Sequence, residues 1–388
     1  MKVVIAIDSF KGSMTSLEAG YAARDGVLKA CREAHVVVKP LADGGEGTTE
    51  ALAEGLGGTY ASVEVTGPLG ELVTAKYGIL AGKKTAVIEM AEATGIILVN
   101  KKDLNPWRAS TTGVGEMILD AAVRGCREFI IGIGGSATTE GGIGMLQALG
   151  YKFYDAGGKP LPPVLESLGK IEAICAESVP QVLKECHFKI ACDVTNPLCG
   201  ENGAVYVYGP QKGVKQEEKK PIDKAMLHYA GKTAEFTGKD NSNVPGAGAA
   251  GGLGFAFLSF LPDVELKSGI SVVLEATGLE EELKDADIVI TGEGRMDFQT
   301  AMGKVRMDFQ TAMGKVPVGV AHLARKYNCK IIAFAGSVTD DAGKCNEEGI
   351  HAFFPVVRGV TTIEEAMDTE TAKKNMALSV EQVFRLLQ

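Results

Sequence analysis

The chain has 388 residues, enough for two or more domains, and 45% of them are hydrophobic, as in ordinary globular proteins. Its net charge of −9 argues against nucleic acid as a main partner. The 8 cysteines form no Cys-x-x-Cys pair and the 5 histidines are separated, which indicates free thiols in a reducing compartment and no zinc site. The N-terminus is typical of neither a signal peptide nor a membrane span, so we expect a cytoplasmic protein with no membrane partner.

The first predicted strand–helix unit places an acid where the strand ends. The apolar run 2–7 predicts a parallel strand, and a helix is expected over about 17–30. Asp8 then lies at the carboxyl end of a strand, which is where open α/β sheets bind ligands. Lys11 in the same loop could neutralise a phosphate, and a solvated surface lysine explains it equally well.

The second unit repeats this arrangement. A strand is predicted over 35–39 and a helix over 49–56, with Asp43 and Glu46 bracketing two glycines between them. Two carboxylates on such a turn could hold Mg²⁺ or hydrogen-bond the hydroxyl groups of a sugar-like ligand. A capping box without a ligand is the alternative. We favour a ligand site because this is the second such loop in succession.

The pattern then departs from strict strand–helix alternation. A hairpin is predicted from the run beginning at residue 63 and the run 72–80, followed by a strand over 85–90 and a helix over about 111–124. This change indicates that a second α/β domain is inserted into the first.

A glycine-rich stretch, 132–150, follows the apolar strand-like run 129–131 and leads into a helix. Gly134 and Gly135, followed by Ser136, let the backbone turn sharply and bring N–H groups close to a ligand. The N-terminus of the helix beyond would add free donors and partial positive charge, which suits a phosphate or a carboxylate. A tight turn without a ligand is the alternative, and we favour the anion site.

Two further segments of the middle region are candidates. A strand over 187–192 leads to Asp193 and Asn196, where a buried carboxylate could act as general base or metal ligand, or form an Asx turn. Gln211 and Lys212 lie in a glycine-flanked loop. The small-residue run 245–255 could approach a nucleotide or pack a helix tightly against a sheet.

Regular alternation returns near the C-terminus. Strands are predicted over 286–290, 330–334 and 351–356, the first of them ending in a loop that contains Glu293, and a last helix over 380–387. The predicted architecture is a discontinuous doubly wound domain, 1–64 with 280–388, carrying 65–279 as an inserted α/β domain. We expect the active site in a cleft between these domains.

Residues 295–305 and 306–316 have the same sequence. Chance does not explain such identity, and a period of eleven residues is too short for a folded repeat unit. The segment was therefore duplicated in the gene, or the recorded sequence carries an error. Arg295 and Asp297 are anchored to the strand before them, and Lys315 to the helix after it.

Six separate motifs carry a family resemblance. In chain order they begin at Asp8, Ala42, Gly132, Ala191, Gly209 and Thr291, and they include Asp8-Ser-Phe-Lys-Gly-Ser, Ala42-Asp-Gly-Gly-Glu-Gly-Thr and Thr291-Gly-Glu-Gly-Arg-Met-Asp. Over essentially its whole length the chain resembles the bacterial glycerate kinases of the type-1 family. The resemblance implies ATP-dependent phosphorylation of D-glycerate with Mg²⁺, more often at the 2-hydroxyl than at the 3-hydroxyl. It also implies a flavodoxin-like domain with an inserted α/β domain of mixed sheet. A homo-oligomer is compatible with it.

The chain departs from the family pattern in places. Thr139-Glu140 stand where the family usually has Asn-Asp, and Thr195 stands where Asp is frequent. The duplication splits a segment that the family carries once, so Gln299 or Gln310, and Lys304, are ambiguous. Residues predicted to bind substrate or phosphate are Ser9, Asp43, Gly44, Gly45, Glu46, Gly134, Gly135, Ser136, Asn196, Gly292, Glu293, Arg295, Asp297 and Lys315.

The predicted chemistry is phosphoryl transfer, in which positioning and charge neutralisation supply most of the catalysis. The predicted catalytic residues are Asp193, as first choice for the base, then Asp8, together with Lys11. The candidate Mg²⁺ ligands are Asp43, Glu46 and Glu293. The rival hypothesis is a non-catalytic sensor that binds an organic acid or nucleotide, which would need fewer carboxylates beside its anion loops.

Overall fold

The structure, a computed structural model, describes residues 1–45, 47–80, 82, 84–297, 300 and 315–388. In this part of the chain the strands are β1 Lys2–Ile7, β2 His35–Val38, β3 Thr59–Thr66, β4 Leu72–Leu80, β5 Thr85–Glu89, β6 Glu128–Gly132, β7 Lys152–Tyr154, β8 Ala173–Cys175, β9 His187–Ala191, β10 Val264–Lys267, β11 Ile288–Met296, β12 Lys330–Val338 and β13 Ala352–Pro355. The α-helices are α1 Ser16–Ala30, α2 Thr48–Gly55, α3 Ala91–Thr94, α4 Thr112–Val123, α5 Ile143–Ala148, α6 Ala204–Tyr208, α7 Lys219–Thr237, α8 Leu253–Phe260, α9 Gly269–Thr277, α10 Leu279–Leu283, α11 Val316–Arg325, α12 Lys344–Glu347, α13 Ile363–Met367 and α14 Thr369–Leu386.

These elements form two compact units. Unit 1 contains Met1–Leu56 and Ser268–Gln388, and unit 2 contains Gly57–Lys267. The domain limits predicted from the sequence, residues 64 and 280, fall inside β3 and α10 and stay a prediction.

The sheet of unit 1 is parallel throughout the described residues, in the order β2-β1-β11-β12-β13. This is the flavodoxin-like order, in which the chain winds first to one side of the first strand and then to the other. The inner strand β1, between β2 and β11, is continuously apolar and fully buried from Val3 to Ala6, as a strand covered on both faces must be. The predicted α/β fold class is therefore confirmed.

Helix α1 shows how the sequence fixes one layer of unit 1. Thr15 caps it by accepting from the backbone N–H of Glu18, whose carboxylate accepts from the Thr15 N–H in return. A Cβ atom at Gly26 would lie 2.4 Å from the carbonyl oxygen of Ala377, so glycine allows α1 and α14 to pack closely.

Unit 2 contains a mixed sheet in the order β10-β9-β6-β5-β4-β3. The strands β10, β9, β6 and β5 are parallel, and β3 and β4 form the predicted antiparallel hairpin at one edge. Its core includes Phe129 stacked on Phe188 at 4.9 Å between ring centres, and Tyr229 against Phe255. Both units thus have a hydrophobic core of their own.

The strands β11 and β12 are longer than predicted. The sequence predicts that β11 ends at Ile290 and that a loop follows, but the pairing with β12 continues through Glu293–Ala335 to Met296–Val338. The reason is that pairing with the neighbouring strand β12 keeps this glycine-containing stretch extended as far as Met296. The loop prediction for 291–296 was wrong.

Among the helices of the described residues, none combines the length and the apolar character that a membrane span needs.

Candidate active site

Asp8 follows β1 directly and is held at the carboxyl edge of the unit 1 sheet. Its backbone N–H donates to the carbonyl of Gly292 at 2.9 Å, which continues the pairing of β1 with β11. The side chain is 9% exposed, and its Oδ1 accepts from the N–H of Ser9 at 2.7 Å. Asp8 therefore lies at the carboxyl end of its strand, as predicted from the sequence, and its carboxylate is nearly buried there.

Burial and the negative charges of Asp43 and Glu293 together raise the pKa of Asp8 to about 7, against the Ser9 N–H and the charge of Lys11, which act in the opposite direction. The influence of Asp43 and Glu293 shows that the strand-end segments of β1, β2 and β11 bring their acids together. A carboxyl group with a pKa near neutrality is suited to accept and release a proton at physiological pH.

Ser16 joins two of these strand-end loops. Its hydroxyl, in the first turn of α1, donates to the carbonyl of Ile7 at 2.6 Å and accepts from the N–H of Leu41 at 2.8 Å. This hydroxyl therefore fixes the loop after β1 in position relative to the loop after β2, as a shared ligand site requires.

The loop after β2 carries Asp43 on tightly turned backbone. The Oδ1 atom of Asp43 accepts from the N–H of Gly45 at 3.0 Å, and Gly44 has φ +86°. A Cβ atom at Gly269 would lie 2.1 Å from the carbonyl oxygen of Asp43, so the start of α9 presses directly on this loop. Glu46, the other acid predicted here, lies outside the described residues.

Glu293 lies on the extended part of β11 and is 5% exposed. Its Oε1 accepts from the hydroxyl of Thr300 at 2.6 Å, and its Oε2 lies 3.2 Å from the ammonium of Lys315. Burial raises the pKa of Glu293, and the Lys315 charge and the Thr300 bond oppose that rise. The structure thus brings together Glu293, which precedes the two identical copies, and Lys315, which lies near the end of the second copy.

The other predicted cations of unit 1 are exposed. Lys11 is exposed, and the Arg295 side chain, 66% exposed, lies 3.5 Å from the carboxylate of Asp297. Ser9 and Lys11 line a cavity of about 320 Å³ whose wall also contains Glu50. These cations are accessible to a ligand in solvent.

The described residues contain no group of three or more His, Cys, Asp or Glu side chains that could hold a metal ion. Magnesium bound with a nucleotide commonly takes one or two carboxylates, with phosphate oxygens and water completing its shell. Asp43 and Glu293 therefore stay candidate ligands.

In unit 2 the predicted anion loop lies between β6 and α5; we call residues 133–142 the glycine loop. Gly134 and Gly135 are exposed, and a Cβ atom at Gly134 would meet no atom within 4 Å. Gly135 has φ +71°, and its carbonyl accepts from the N–H of Ile96 at 2.8 Å. This end of the loop presents open backbone to solvent and can receive an anion.

Lys212 was noted in the sequence but not chosen as a site residue. It is 1% exposed, and its ammonium donates to the Ser136 hydroxyl and to the Thr138 carbonyl, both at 2.6 Å. Burial lowers the pKa of Lys212 to about 7, against the opposing charge of Glu140. The glycine flanks and the lysine were visible in the sequence, but the burial could not be foreseen without the fold.

At the other end of the glycine loop, the prediction of free N–H donors at the helix N-terminus was wrong. Helix α5 does not offer free N–H donors to a ligand, because the buried carboxylate of Glu140 accepts from the N–H groups of Gly142, at 3.1 Å, and Gly144, at 3.3 Å. It also accepts from the backbone and hydroxyl of Thr111. Glu140 is fully buried, and burial raises its pKa. The donors that we expected to bind an anion are internal.

The loop after β9 corrects a second prediction. Asp193 was expected to be a buried carboxylate, but it is exposed. The neighbouring Cys192 takes the inward position and its thiol donates to the Val194 carbonyl at 3.3 Å, so the next side chain points outward. Asn196 uses its amide internally, donating to the Asn202 carbonyl at 2.7 Å and accepting from the Tyr208 hydroxyl at 2.5 Å.

The small-residue run 245–255 supports close packing. A Cβ atom at Gly251 would lie 2.1 Å from the Thr138 carbonyl oxygen, and one at Gly254 would lie 2.2 Å from that of Gly246. These glycines are needed because backbone packs on backbone, and they hold the inner side of the glycine loop.

The fold and these groups together define a class. Unit 1 is a doubly wound sheet with acids at its strand ends, and unit 2 has an open glycine loop beside a buried lysine. Such features are typical of an enzyme that binds small anionic ligands.

Comparison with known proteins identifies the family. The sequence model of the glycerate kinase family matches residues 3–307 and 305–388. A glycerate kinase of Halalkalibacterium halodurans is 42% identical over 97% of both chains, and a glycerate 2-kinase of Escherichia coli K12 is 45% identical over 94% of this chain and 93% of the relative. A crystal structure assigned to glycerate kinase 2 of Salmonella typhimurium LT2 covers 100% of this chain and 98% of the other, with 41% identity and a TM-score of 0.89.

The chain belongs to the glycerate kinase family. This confirms the predicted family and the predicted enzyme class, and a kinase of this family uses ATP. The family match breaks at residues 305–307, at the junction between the two identical copies. The ambiguous residues Gln299, Lys304 and Gln310 lie outside the described residues.

Proposed function

We propose that the protein transfers the terminal phosphoryl group of ATP to the 2-hydroxyl of D-glycerate with Mg²⁺, and that Asp8 accepts the proton of that hydroxyl. The family match supports the reaction class. The name of the 45% identical relative, a glycerate 2-kinase, supports the 2-hydroxyl over the 3-hydroxyl. The observation that carries the assignment of the base is the nearly buried Asp8 carboxylate with a pKa of about 7.

Asp8 is a better base than Asp193, the first choice from sequence. A general base works best when its pKa is close to the working pH, since it must be ionised and yet bind a proton strongly. Burial supplies that condition at Asp8. Asp193 is exposed, whereas Asp8 is nearly buried at the end of its strand.

The residues present fit a magnesium ion. The charges of Asp43 and Glu293 both raise the pKa of Asp8, which means that negative charge accumulates at this edge of the sheet and that a divalent cation would offset it. Asp43 and Glu293 would hold the ion, which supplies neutralisation of phosphate charge when bound. Glu46 is retained as a third candidate from the sequence.

Positive and backbone donor groups would hold the phosphates and the glycerate carboxylate. In this proposal Lys11, Arg295 and Lys315 supply charge, and the Gly134–Ser136 segment supplies N–H groups. That residues of both units form one active site stays a prediction. So do the roles of the remaining residues, which are Ser9, Gly44, Gly45, Asn196, Gly292 and Asp297.

A coupled assay of ADP release tests the reaction, with D-glycerate or L-glycerate and with or without Mg²⁺. We expect turnover that requires both D-glycerate and Mg²⁺, and ³¹P NMR of the product should show the 2-phosphate. A 3-phosphate signal would overturn the choice of hydroxyl, and no ADP release would overturn the function.

Two matched substitutions test the base. We expect Asp8→Asn to lower kcat about a hundredfold or more, because proton transfer by a positioned side chain contributes that much. Asp193→Asn, the same change on an exposed carboxylate, should lower kcat far less. The reverse order would return the role of base to Asp193.

A further inference from the structure

We propose that Lys212 is a positioning residue that holds the Gly134–Ser136 segment in the shape in which its backbone N–H groups meet an oxyanion. The inference rests on the proposed function in one respect, since it takes this segment as a ligand site. The oxyanion is a phosphate of ATP or the carboxylate of glycerate. These two ligands share the chemistry that the segment would recognise.

The contacts of Lys212 place it behind the exposed part of the glycine loop. Its ammonium donates to the Ser136 hydroxyl and to the Thr138 carbonyl, each at 2.6 Å. Ser136 follows the exposed Gly134 and Gly135 directly, and Thr138 lies two residues further along the chain. One buried group therefore fixes two points of the chain immediately beside the open backbone.

The opposite side of the same segment is held by main-chain bonds. Ile96 donates to the Gly135 carbonyl at 2.8 Å, and Ala137 donates to the Thr94 carbonyl at 3.0 Å. Lys212 thus completes a frame around backbone that is glycine-rich and would otherwise have many accessible conformations.

The turn that presents Lys212 is built for an inward lysine. Residues Pro210–Lys212 form a 3₁₀ turn that ends at Gly213 with φ +98°. A Cβ atom at Gly213 would lie 3.1 Å from the carbonyl oxygen of Leu104, so glycine is required there. The negative charge of the buried Glu140 carboxylate stabilises the charged form of Lys212.

Packing alone does not account for a lysine at this position. Burying an ammonium group is costly, and methionine of similar length would fill the space with less desolvation. Lys212 is nevertheless only 1% exposed, and its ammonium donates two hydrogen bonds to the glycine loop. The geometry therefore points to a role in shaping the loop.

The test is isothermal titration calorimetry of wild type and Lys212→Met with Mg-ADP and, separately, with D-glycerate. We expect the Kd of one of these ligands to rise about tenfold to a hundredfold, because a hydrogen bond from a charged group has roughly that weight. The Kd of the other ligand should stay within about twofold, since its site lies elsewhere. Unchanged values for both ligands, or equal losses for both accompanied by a lower Tm, would overturn the inference.

A second variant covers the case in which Lys212→Met fails to fold. Ser136→Ala removes the acceptor hydroxyl and leaves the lysine, and it should weaken the same ligand to a smaller extent. The effects of the two substitutions should be less than additive in the double variant, because Lys212 acts through Ser136. Full additivity would contradict this. Lys220→Met, which removes an exposed lysine of unit 2, is the matched control.

Gly134→Val separates failure of the inference from failure of the proposed function. The position is open, so the side chain fits the fold and covers the exposed backbone. If Gly134→Val changes neither Kd, the loop is not a ligand site and that part of the proposed function is wrong. If Gly134→Val weakens a ligand and Lys212→Met does not, the role of Lys212 alone is wrong.

Discussion

Replacing Asp8 by asparagine should stabilise the ligand-free enzyme while it removes activity. In the folded protein the pKa of Asp8 is raised from its ordinary value of 3.8 to about 7 by burial and by the charges of Asp43 and Glu293. An acid with a raised folded pKa opposes folding. The unfolded chain releases the proton first, so the cost begins near pH 3.8, grows as the pH rises, and is complete above about pH 7.

The magnitude follows from the two pKa values. Their difference corresponds to about 4 kcal/mol at high pH, at about 1.36 kcal/mol for each pKa unit, and to about 1.6 kcal/mol at pH 5. Asparagine carries no charge and keeps an oxygen that can accept from the Ser9 N–H. Its buried amide N–H₂ group costs about 1–3 kcal/mol if it finds no acceptor. A net gain of roughly 1–3 kcal/mol is expected at pH 8.5, and at pH 5 a change between a gain of about 0.6 kcal/mol and a loss of about 1.4 kcal/mol.

Differential scanning calorimetry of wild type and Asp8→Asn at pH 5 and pH 8.5 measures this gain. Mg²⁺ and nucleotide are omitted, because a bound cation would offset the repulsion that the substitution relieves. For domains of 150–250 residues each kcal/mol moves Tm by about 2–4 °C, so the Tm of the variant should rise by several degrees at pH 8.5. The same preparation should show the lowered kcat.

Asp285→Asn is a control in unit 1 for which we expect the opposite change in Tm. Asp285 is exposed and lies 2.5 Å from the ammonium of Lys2, which holds the pKa of that carboxyl below its usual value. Its replacement should lower Tm slightly at pH 8.5. The reasoning about Asp8 fails if Asp8→Asn lowers Tm at both pH values, or if the change in Tm is the same at pH 5 and pH 8.5.

Two further predictions concern packing and the duplication. Gly251→Ala should destabilise unit 2 by about 3 kcal/mol or more, because its Cβ atom would lie 2.1 Å from the Thr138 carbonyl oxygen. The control is Gly125→Ala, which also has a positive φ but lies in open space and should cost only the backbone strain. Equal losses of stability for the two variants in urea unfolding would refute the packing argument. Deleting residues 306–316 gives the same chain as deleting 295–305, and we expect it to fold and to keep at least the parent activity in the ADP-release assay, since the family carries the segment once. Loss of activity on deletion would show that the added residues are needed.

The strand–helix pattern was sufficient for much of the fold. Continuous apolar runs such as 2–7 and 129–131 are buried strands because only covered parallel strands are apolar on both faces. The pattern failed at 291–296, where glycines suggested a turn and the partner strand β12 kept the chain extended. Pairing partners far away in sequence decide where such a strand ends, and local propensity does not contain that information.

The sequence predicts the position of a site residue when sheet topology fixes it. It does not predict whether a side chain points inward or outward. Asp8 follows a buried strand, so its location at the sheet edge could be inferred. Whether Asp193 points inward or outward depends on how the turn after β9 begins, and the inward place belongs to Cys192. The burial of Lys212 and Glu140 arises from tertiary packing of several loops, which spacing in the sequence does not encode.

The division of unit 1 into two stretches of chain constrains how the protein is made. The inner strand β1 pairs with β11, with Val3 opposite Ile288, so the ribosome must produce most of the polypeptide before this pairing can form. At about 5–20 residues per second β1, which can pair early with β2, waits roughly 15–60 s for its second neighbour β11. Unit 2 is continuous and complete by residue 267, so it can fold during that interval. During synthesis one edge of the apolar strand β1 is therefore unpaired for a long time, and a nascent chain that stalls before β11 keeps that edge open to pairing with other chains.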